Sequence, residues 1–138
     1  MRKRYYVLIG CFALFLSSAT WALYWYNKPH RNVAGLSPAF RIKAADLYSE
    51  YRRDEAAADK KFVNKILEVK GTIAGELLTD STVDIQLSSG DPEAFVSCNF
   101  LMRGPGKANF PAKGFPVTIK GRCTGFLQDV NLVDCVIE

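Results

Sequence analysis

The fold of this chain is decided by residues 66–100, which read ILEVKGTIAGELLTDSTVDIQLSSGDPEAFVSCNF. Three short runs within this stretch alternate apolar residues with polar or small ones, and the turn-forming sequence SSGDP separates the second run from the third. A period of two residues is typical of strands that bury one face. The pattern therefore predicts three strands, over residues 67–73, 83–87 and 96–100.

Two more strands are predicted nearer the C-terminus. The alternation resumes at Val117 to open a fourth strand, residues 125–129 have turn chemistry, and residues 130–137 form the fifth strand. Between the third and fourth strands, residues 102–114 include three glycines and two prolines. This composition predicts a loop where many small barrels carry a helix.

A helix is predicted before the strands. Apolar residues recur at a spacing of three to four between about residues 43 and 61, the pattern of an amphipathic helix. Glu55 interrupts the apolar face, so two shorter helices are the alternative. One helix and five short strands, with a long connection between the third and fourth, favour a mainly β fold, a five-stranded Greek-key barrel of the OB type. An SH3-like barrel is the main rival.

The N-terminal segment predicts a membrane anchor. Residues 5–26 carry no charge and are mostly apolar, and as a helix they span about 33 Å, enough to cross the hydrocarbon core of a bilayer. Tyrosines and tryptophans cluster at both ends of this run, where their rings favour the headgroup region. The basic residues 2–4 favour a cytoplasmic N-terminus, with the rest of the chain outside. Two processing alternatives compete with the anchor. A signal-peptidase site at Ser17-Ser18-Ala19 would release a secreted domain, and Leu8-Ile9-Gly10-Cys11 resembles a lipobox, in which the thiol would be lipidated after cleavage.

The chain therefore divides into four predicted parts. The parts are a cytoplasmic tail (1–4), a transmembrane helix (5–26), a spacer (27–41), and a periplasmic or extracellular domain with the helix and the barrel (42–138). The predicted location is the cytoplasmic (inner) membrane, crossed once. Of the formal net charge of +4, the tail carries +3, so bulk charge gives the outer domain no electrostatic case for a nucleic-acid partner.

Several segments resemble one family when they are taken in chain order. The segments are 45–47 (ADL), 54–59 (DEAAAD), 67–71 (LEVKG), 96–98 (VSC), 120–125 (KGRCTG) and 129–135 (DVNLVDC). Over residues 42–137 the chain resembles the tRNA_anti-like OB-fold family of bacterial proteins, and residues 121–125 are the most specific match. The resemblance implies an OB barrel preceded by a helix, commonly behind a membrane or export signal. It implies neither tRNA binding nor catalytic residues.

The four cysteines are interpreted by their predicted compartment. Cys11 lies in the predicted membrane helix, which leaves Cys98, Cys123 and Cys135 in a domain that meets an oxidising environment. Alternation places Cys98 and Cys123 on inward positions, and the third and fifth strands of an OB barrel are neighbours. A disulfide of Cys98 with Cys123 or with Cys135 is therefore predicted, and three buried free thiols are the alternative. No CxxC spacing indicates redox or zinc chemistry.

Catalysis receives little support from the residue inventory. The only histidine, His30, lies in the predicted spacer, so Ser-His-Asp and Cys-His mechanisms lack a base held in a packed site. Carboxylates cluster in predicted turns and on one outward strand face, a pattern typical of solvation. These carboxylates are Glu76, Asp80, Asp84, Asp91 and Glu93. We predict no enzyme activity, no cofactor and no metal site, and a metal-dependent enzyme that uses this cluster is an alternative.

A candidate binding surface follows from the order of charges along the barrel. Residues 94–128 contain five basic residues and no acidic one, and phenylalanines interleave with them, a composition suited to an anionic ligand. The predicted binding residues are Arg103, Lys107, Lys113, Lys120, Arg122, Phe110 and Phe126. The acidic residues around strand two oppose phosphates on the face that OB folds use for oligonucleotides.

The functional expectation is a non-catalytic OB-fold binding or interaction module, anchored in the membrane and presented outside it. The sequence does not assign its ligand, and the two candidates are an anionic ligand and an acidic envelope protein. Single-stranded nucleic-acid binding is the alternative that the fold suggests, although the charge distribution disfavours nucleic acid as a partner.

Overall fold

The computed structural model describes residues 2–26, 33–102 and 109–138. The chain divides into two compact units, Met1–His30 and Arg31–Glu138. The first unit contains one helix, α1 (Arg2–Tyr26), which includes the whole of the apolar run 5–26. Among the described residues, no helix combines the length and the apolar character that crossing a membrane requires.

The described residues of the second unit, 33–102 and 109–138, form a 3-10 turn, two helices and six strands. The helices and strands are β1 (Phe40–Lys43), α2 (Ala44–Arg53), α3 (Glu55–Phe62), β2 (Ile66–Leu78), β3 (Thr82–Ser88), β4 (Phe95–Leu101), β5 (Pro116–Phe126) and β6 (Val130–Ile137). All five predicted strands are present as β2 to β6. The described part of the connection between β4 and β5 contains no helix, as its glycines and prolines predict.

Five strands close into a barrel. The hydrogen-bonded order is β2-β3-β4-β6-β5, and β5 pairs again with β2. Neighbours in the barrel are antiparallel except β4 and β6, which run parallel over Val96–Cys98 and Val130–Leu132. A closed five-stranded barrel in which the third and fifth strands run side by side is the OB topology, so the predicted fold of this unit is confirmed.

The predicted helix is two helices, as the interruption at Glu55 allows. Asp54 has an extended backbone that ends α2, and its side chain then accepts a hydrogen bond of 3.0 Å from the N–H of Ala57. Asp54 therefore stops one helix and caps the next. Both helices bury one face against the barrel, where Leu47, Tyr51 and Phe62 are fully covered.

The compact unit begins earlier than the predicted boundary at residue 42. Val33 is only 1% exposed, and it lies in a 3-10 turn, Val33–Gly35. β1 then runs parallel to the first residues of β2, with Phe40 opposite Leu67 and Ile42 opposite Val69. Val33 and Phe40 of the predicted spacer therefore pack with the barrel unit. Four residues of alternation are too few to distinguish such a strand from a loop in the sequence.

A bulge in β6 reverses the inward and outward positions near the end of the chain. Val130 and Leu132 face the core, so simple alternation would send Asp134 inward as well. Asp134 instead adopts a positive φ of 55°, and the register with β5 shifts between Lys120 and Arg122. The side chain that becomes buried is therefore that of Cys135.

Candidate functional site: a polar groove on the β3–β4–β6 face

A groove of about 600 Å³ crosses the barrel face formed by β3, β4 and β6. One wall comes from α3, and the other comes from the turn between β5 and β6. The lining residues are Asp59, Val63, Asp84, Ser97, Asn99, Thr124, Gly125, Phe126, Leu127, Asn131, Leu132 and Val133. We call this feature the polar groove. It lies where OB folds place their ligands, over the second and third barrel strands and beside the turn between the fourth and fifth.

Alternation along the strands explains how these side chains reach the groove. Val83, Ile85 and Leu87 bury the inward face of β3, which leaves Asp84 between them on the outward face. On β4, Ser97 and Asn99 are the corresponding outward residues. Register places Asp84 directly opposite Asn99, and the Asn99 side-chain amide donates a hydrogen bond of 2.7 Å to the Asp84 carboxylate.

The turn between β5 and β6 is held by hydrogen bonds of its own. Asn131 donates from its side-chain amide to the carbonyl of Asp129 at 3.0 Å, and the Thr124 hydroxyl donates to the carbonyl of Asn131 at 3.2 Å. The Asp129 carboxylate accepts from the N–H of Phe95 at 2.8 Å, which ties the turn to β4. Leu127 projects from this supported turn and is 88% exposed. The groove therefore has a fixed polar floor and an apolar projection at its rim.

Beneath the polar groove, Tyr51 and Cys123 form a buried polar contact. The Tyr51 oxygen and the Cys123 sulfur lie 3.4 Å apart. Burial first, and then this hydrogen bond, raise the pKa of Tyr51 far above its usual range, and burial also raises the pKa of Cys123. Asp59 faces the same hydroxyl, and its Oδ1 is buried without a hydrogen-bond partner among the described residues.

The free energy of unfolding is expected to fall as the pH rises above about 9. In the unfolded chain, Cys123 and Tyr51 have ordinary pKa values and lose their protons first, so the folded state binds more protons and alkali destabilises it. Denaturant unfolding between about pH 7 and about pH 10 measures the effect. Cys123→Ala should reduce the decline between about pH 8 and 10, and a wild-type midpoint constant over this range would contradict the expectation.

The predicted binding residues do not assemble into one basic surface in the described structure. Arg103 and Lys107 lie outside the described residues. Lys120 is only 7% exposed, and its ammonium pairs with the Glu138 carboxylate and donates to the carbonyl of Ala34 at 3.5 Å. Arg122 donates to the Asp134 carboxylate at 3.2 Å. Both cations are thus engaged by neighbouring acceptors.

The two predicted phenylalanines pack against the core. Phe110 meets Phe100 edge to face, with ring centres 5.0 Å apart. Phe126 stacks on Tyr51 at 5.6 Å, and of the predicted residues that the structure describes it alone lines the polar groove. The sequence analysis did not predict most of the residues of that groove. The pattern that could have indicated them is the row of polar side chains on the outward face of β3 and β4, to which Asp84 and Asn99 belong.

Lysines instead gather beside a second groove, of about 1010 Å³, between β1, β2 and the start of β5. Lys43 and Lys70 line it, and they are direct partners in the register of β1 and β2. Lys113 is exposed on the loop between Pro111 and Pro116, which line the same groove. We call this feature the lysine groove.

The acidic residues considered for metal binding are separated in the described structure. Asp91 accepts a hydrogen bond of 3.3 Å from the Tyr48 hydroxyl, whereas Asp84 accepts one from the Asn99 side-chain amide. Within residues 2–26, 33–102 and 109–138, no three histidine, cysteine or acidic side chains come together as a metal site.

The strands and the two grooves define a small OB barrel with a polar groove on its β3–β4–β6 face. The sequence profile of the tRNA_anti-like family matches residues 1–137, so the chain belongs to the tRNA_anti-like family. The family resemblance seen in residues 42–137 is therefore confirmed, and the match extends over α1. No curated protein matches the sequence significantly.

A solved structure from Klebsiella pneumoniae subsp. pneumoniae, described as a "putative nucleic acid-binding lipoprotein", has a similar fold. The TM-score is 0.58 with 15% sequence identity, over 80% of this chain and 99% of that one. At this identity the likeness shows the fold alone.

Proposed function

We propose that this protein is a non-catalytic OB-fold binding module that is anchored in the cytoplasmic membrane and binds a ligand outside it through the polar groove. The observation that carries the proposal is the position of the groove on the face formed by β3, β4 and β6. Side chains with hydrogen-bonding oxygens and nitrogens line this face, and the turn beside it is held by three hydrogen bonds. A preformed polar surface of this kind loses little conformational entropy on binding.

The charge of the polar groove favours a ligand rich in hydrogen-bond donors. Its charged lining residues are Asp59 and Asp84, and no described lining residue is a lysine or arginine. Phosphates would be repelled there, whereas hydroxyl or amino groups could donate to the carboxylates. Leu127 offers an apolar surface for the flat face of a sugar ring. A neutral or amino-substituted glycan is therefore the ligand class that we propose.

The membrane placement is supported by the segment 5–26 and by its flanking residues. The run is uncharged, ends in tyrosines and tryptophans, and follows three basic residues. The similar Klebsiella protein is named a lipoprotein. Protease is added to cells whose outer envelope is opened and whose cytoplasmic membrane is intact. It should remove a tag placed at the C-terminus, and protection of that tag would overturn the extracytoplasmic placement.

Glycan binding is tested by titrating the full chain, solubilised in mild detergent, with neutral, amino-substituted and anionic glycan oligomers. Asn99→Ala should weaken binding of the neutral or amino-substituted oligomers by about 3- to 10-fold, because one hydrogen-bonding side chain is removed from the groove. Lys113→Ala, which alters an exposed side chain outside the polar groove, should leave the affinity unchanged. Absence of binding, or equal affinity of Asn99→Ala and wild type, would reject this ligand class.

The second candidate function is binding of an anionic ligand in the lysine groove. Single-stranded nucleic acid is one such ligand. The specific observation in its favour is that Lys43 and Lys70 are register partners in β1 and β2 and both line the lysine groove. Binding at this site should weaken as salt rises and should fall in a Lys43→Ala/Lys70→Ala variant. If the binding of a labelled oligonucleotide does not change with salt, nucleic acid is eliminated as the ligand of this groove.

A further inference from the structure

Two of the three barrel cysteines lie against each other in the core. Cys98 on β4 and Cys135 on β6 are both buried on neighbouring strands, and after burial itself the nearby Cys98 thiol is the next cause that raises the pKa of Cys135. The two strands are the parallel neighbours of the barrel, where Cys98 is the register partner of Leu132. The Cys98 thiol also makes a long contact of 3.9 Å to the carbonyl of Val96.

Three features of the backbone bring Cys135 to this position. Asp134 adopts a positive φ of 55°, which is unfavourable for a residue with a side chain. The resulting bulge turns Cys135 inward in place of Asp134. Opposite the bulge stands Gly121, and a Cβ atom at that position would lie 2.6 Å from the Cys135 sulfur. The Cys135 thiol therefore occupies space that a side chain at position 121 would fill, and the backbone at Asp134 is strained.

Cys123 is directed elsewhere. Its sulfur contacts the Tyr51 oxygen at 3.4 Å, on the side of the barrel that packs against α2. Of the two pairings predicted for Cys98, the geometry thus favours Cys135. All three thiols are free in the described structure.

We infer that Cys98 and Cys135 form a disulfide that joins β4 to β6 when the chain folds in an oxidising compartment. In the reaction, one cysteine thiolate attacks the disulfide bond of a carrier, such as an oxidised thiol–disulfide oxidoreductase or glutathione disulfide, and a mixed disulfide forms. The second cysteine thiolate then displaces the reduced carrier. Two S–H bonds are lost, one S–S bond is gained, and two electrons and two protons pass to the carrier.

The step belongs to folding and not to the finished barrel. Burial, and then the neighbouring Cys98 thiol, raise the pKa of Cys135 well above its usual value. A thiol held in its protonated form and covered by the core is a poor nucleophile. The folded, reduced chain should therefore oxidise slowly, whereas the unfolded chain oxidises readily.

Refolding the full reduced chain in detergent with glutathione and glutathione disulfide tests the pairing directly. Alkylation under denaturing conditions should then modify two thiols, Cys11 and Cys123, and peptide mass mapping should show a Cys98–Cys135 link. Cys123→Ala is the matched control and should keep the link, whereas Cys135→Ala should lose it. Four alkylated thiols, or a link from Cys98 to Cys123, would overturn the inference, and mapping of the wild-type chain needs no variant to fold.

Stability gives a second readout. Dithiothreitol should lower the Tm of the oxidised chain by about 10 °C and should leave that of Cys135→Ala unchanged. The cellular part of the inference rests on the proposed placement outside the cytoplasm. If the link forms on refolding but thiols trapped in intact cells are all free, the pairing stands and the placement is rejected.

Discussion

Replacing Phe62 by alanine is expected to lower the free energy of unfolding by about 3–5 kcal/mol. Phe62 is the last residue of α3 and is fully buried. Its ring packs edge to face on Phe40 at 5.4 Å and lies 6.0 Å from the ring of Tyr51. One side chain thus joins β1, α2 and α3, and its removal leaves a cavity that none of the three elements can fill without moving.

Calorimetry or far-UV circular dichroism of the full chain in detergent measures this loss. Both tryptophans, Trp21 and Trp25, lie in α1, so tryptophan fluorescence does not report on the barrel. Phe115→Ala is the matched control, because Phe115 is 59% exposed and should cost well under 1 kcal/mol, roughly the size of a surface substitution. Equal losses for the two variants would contradict the packing assigned to Phe62.

Gly121→Ala is expected to destabilise the barrel by about 1–3 kcal/mol through overpacking. The added methyl group would meet the Cys135 sulfur at 2.6 Å and the Cβ atom of Leu132 at 3.2 Å. Neither contact can be relieved by rotation of a long side chain, because both atoms are held close to the backbone of β6. The bulge at Asp134 would have to shift outward.

Gly35→Ala provides the comparison, since nothing lies within 4 Å of its added methyl group and its φ is not positive. It should be neutral within about 0.5 kcal/mol. If the clash with sulfur is the main cause, the loss in Gly121→Ala/Cys135→Ala should be smaller than the sum of the two single losses. Additive losses would mean that contact with Leu132 dominates. The same denaturant titrations supply all four values.

Periodicity predicted the framework of the barrel because β3 and β4 bury alternate residues throughout, and β2, β5 and β6 do so over part of their length. The inward sets on β3 and β4, such as Ile85 and Cys98, give a period of two that needs no knowledge of the partner strand. The break between α2 and α3 was visible for a similar reason, since Glu55 falls on the apolar face of the predicted helix. The sequence pattern and the structure agree wherever burial of one face of a helix or strand determines the secondary structure.

The candidate site was harder to predict because it depends on contacts between residues that are distant in sequence. Lys120 and Arg122 share the sequence surroundings of exposed strand residues, yet Glu138 and Asp134 neutralise them across the β5–β6 pair. The turn at Val33–Gly35 also covers Lys120, and nothing in its sequence marks it as part of the barrel. Likewise, the approach of Asp84 to Asn99 follows from strand register, which alternation alone does not fix.

β1 bears on how densely copies of this protein can be crowded on one surface. It is the outermost strand in the order of the described sheet, and such a strand can recruit the backbone of a neighbouring chain. β1 offers only four residues, and its two exposed side chains are Arg41 and Lys43. Arg41 is paired with the Glu68 carboxylate at 3.1 Å. Two copies that approached edge to edge could therefore add only a very short ladder beside their Lys43 side chains, which disfavours cross-chain polymerisation at high local concentration.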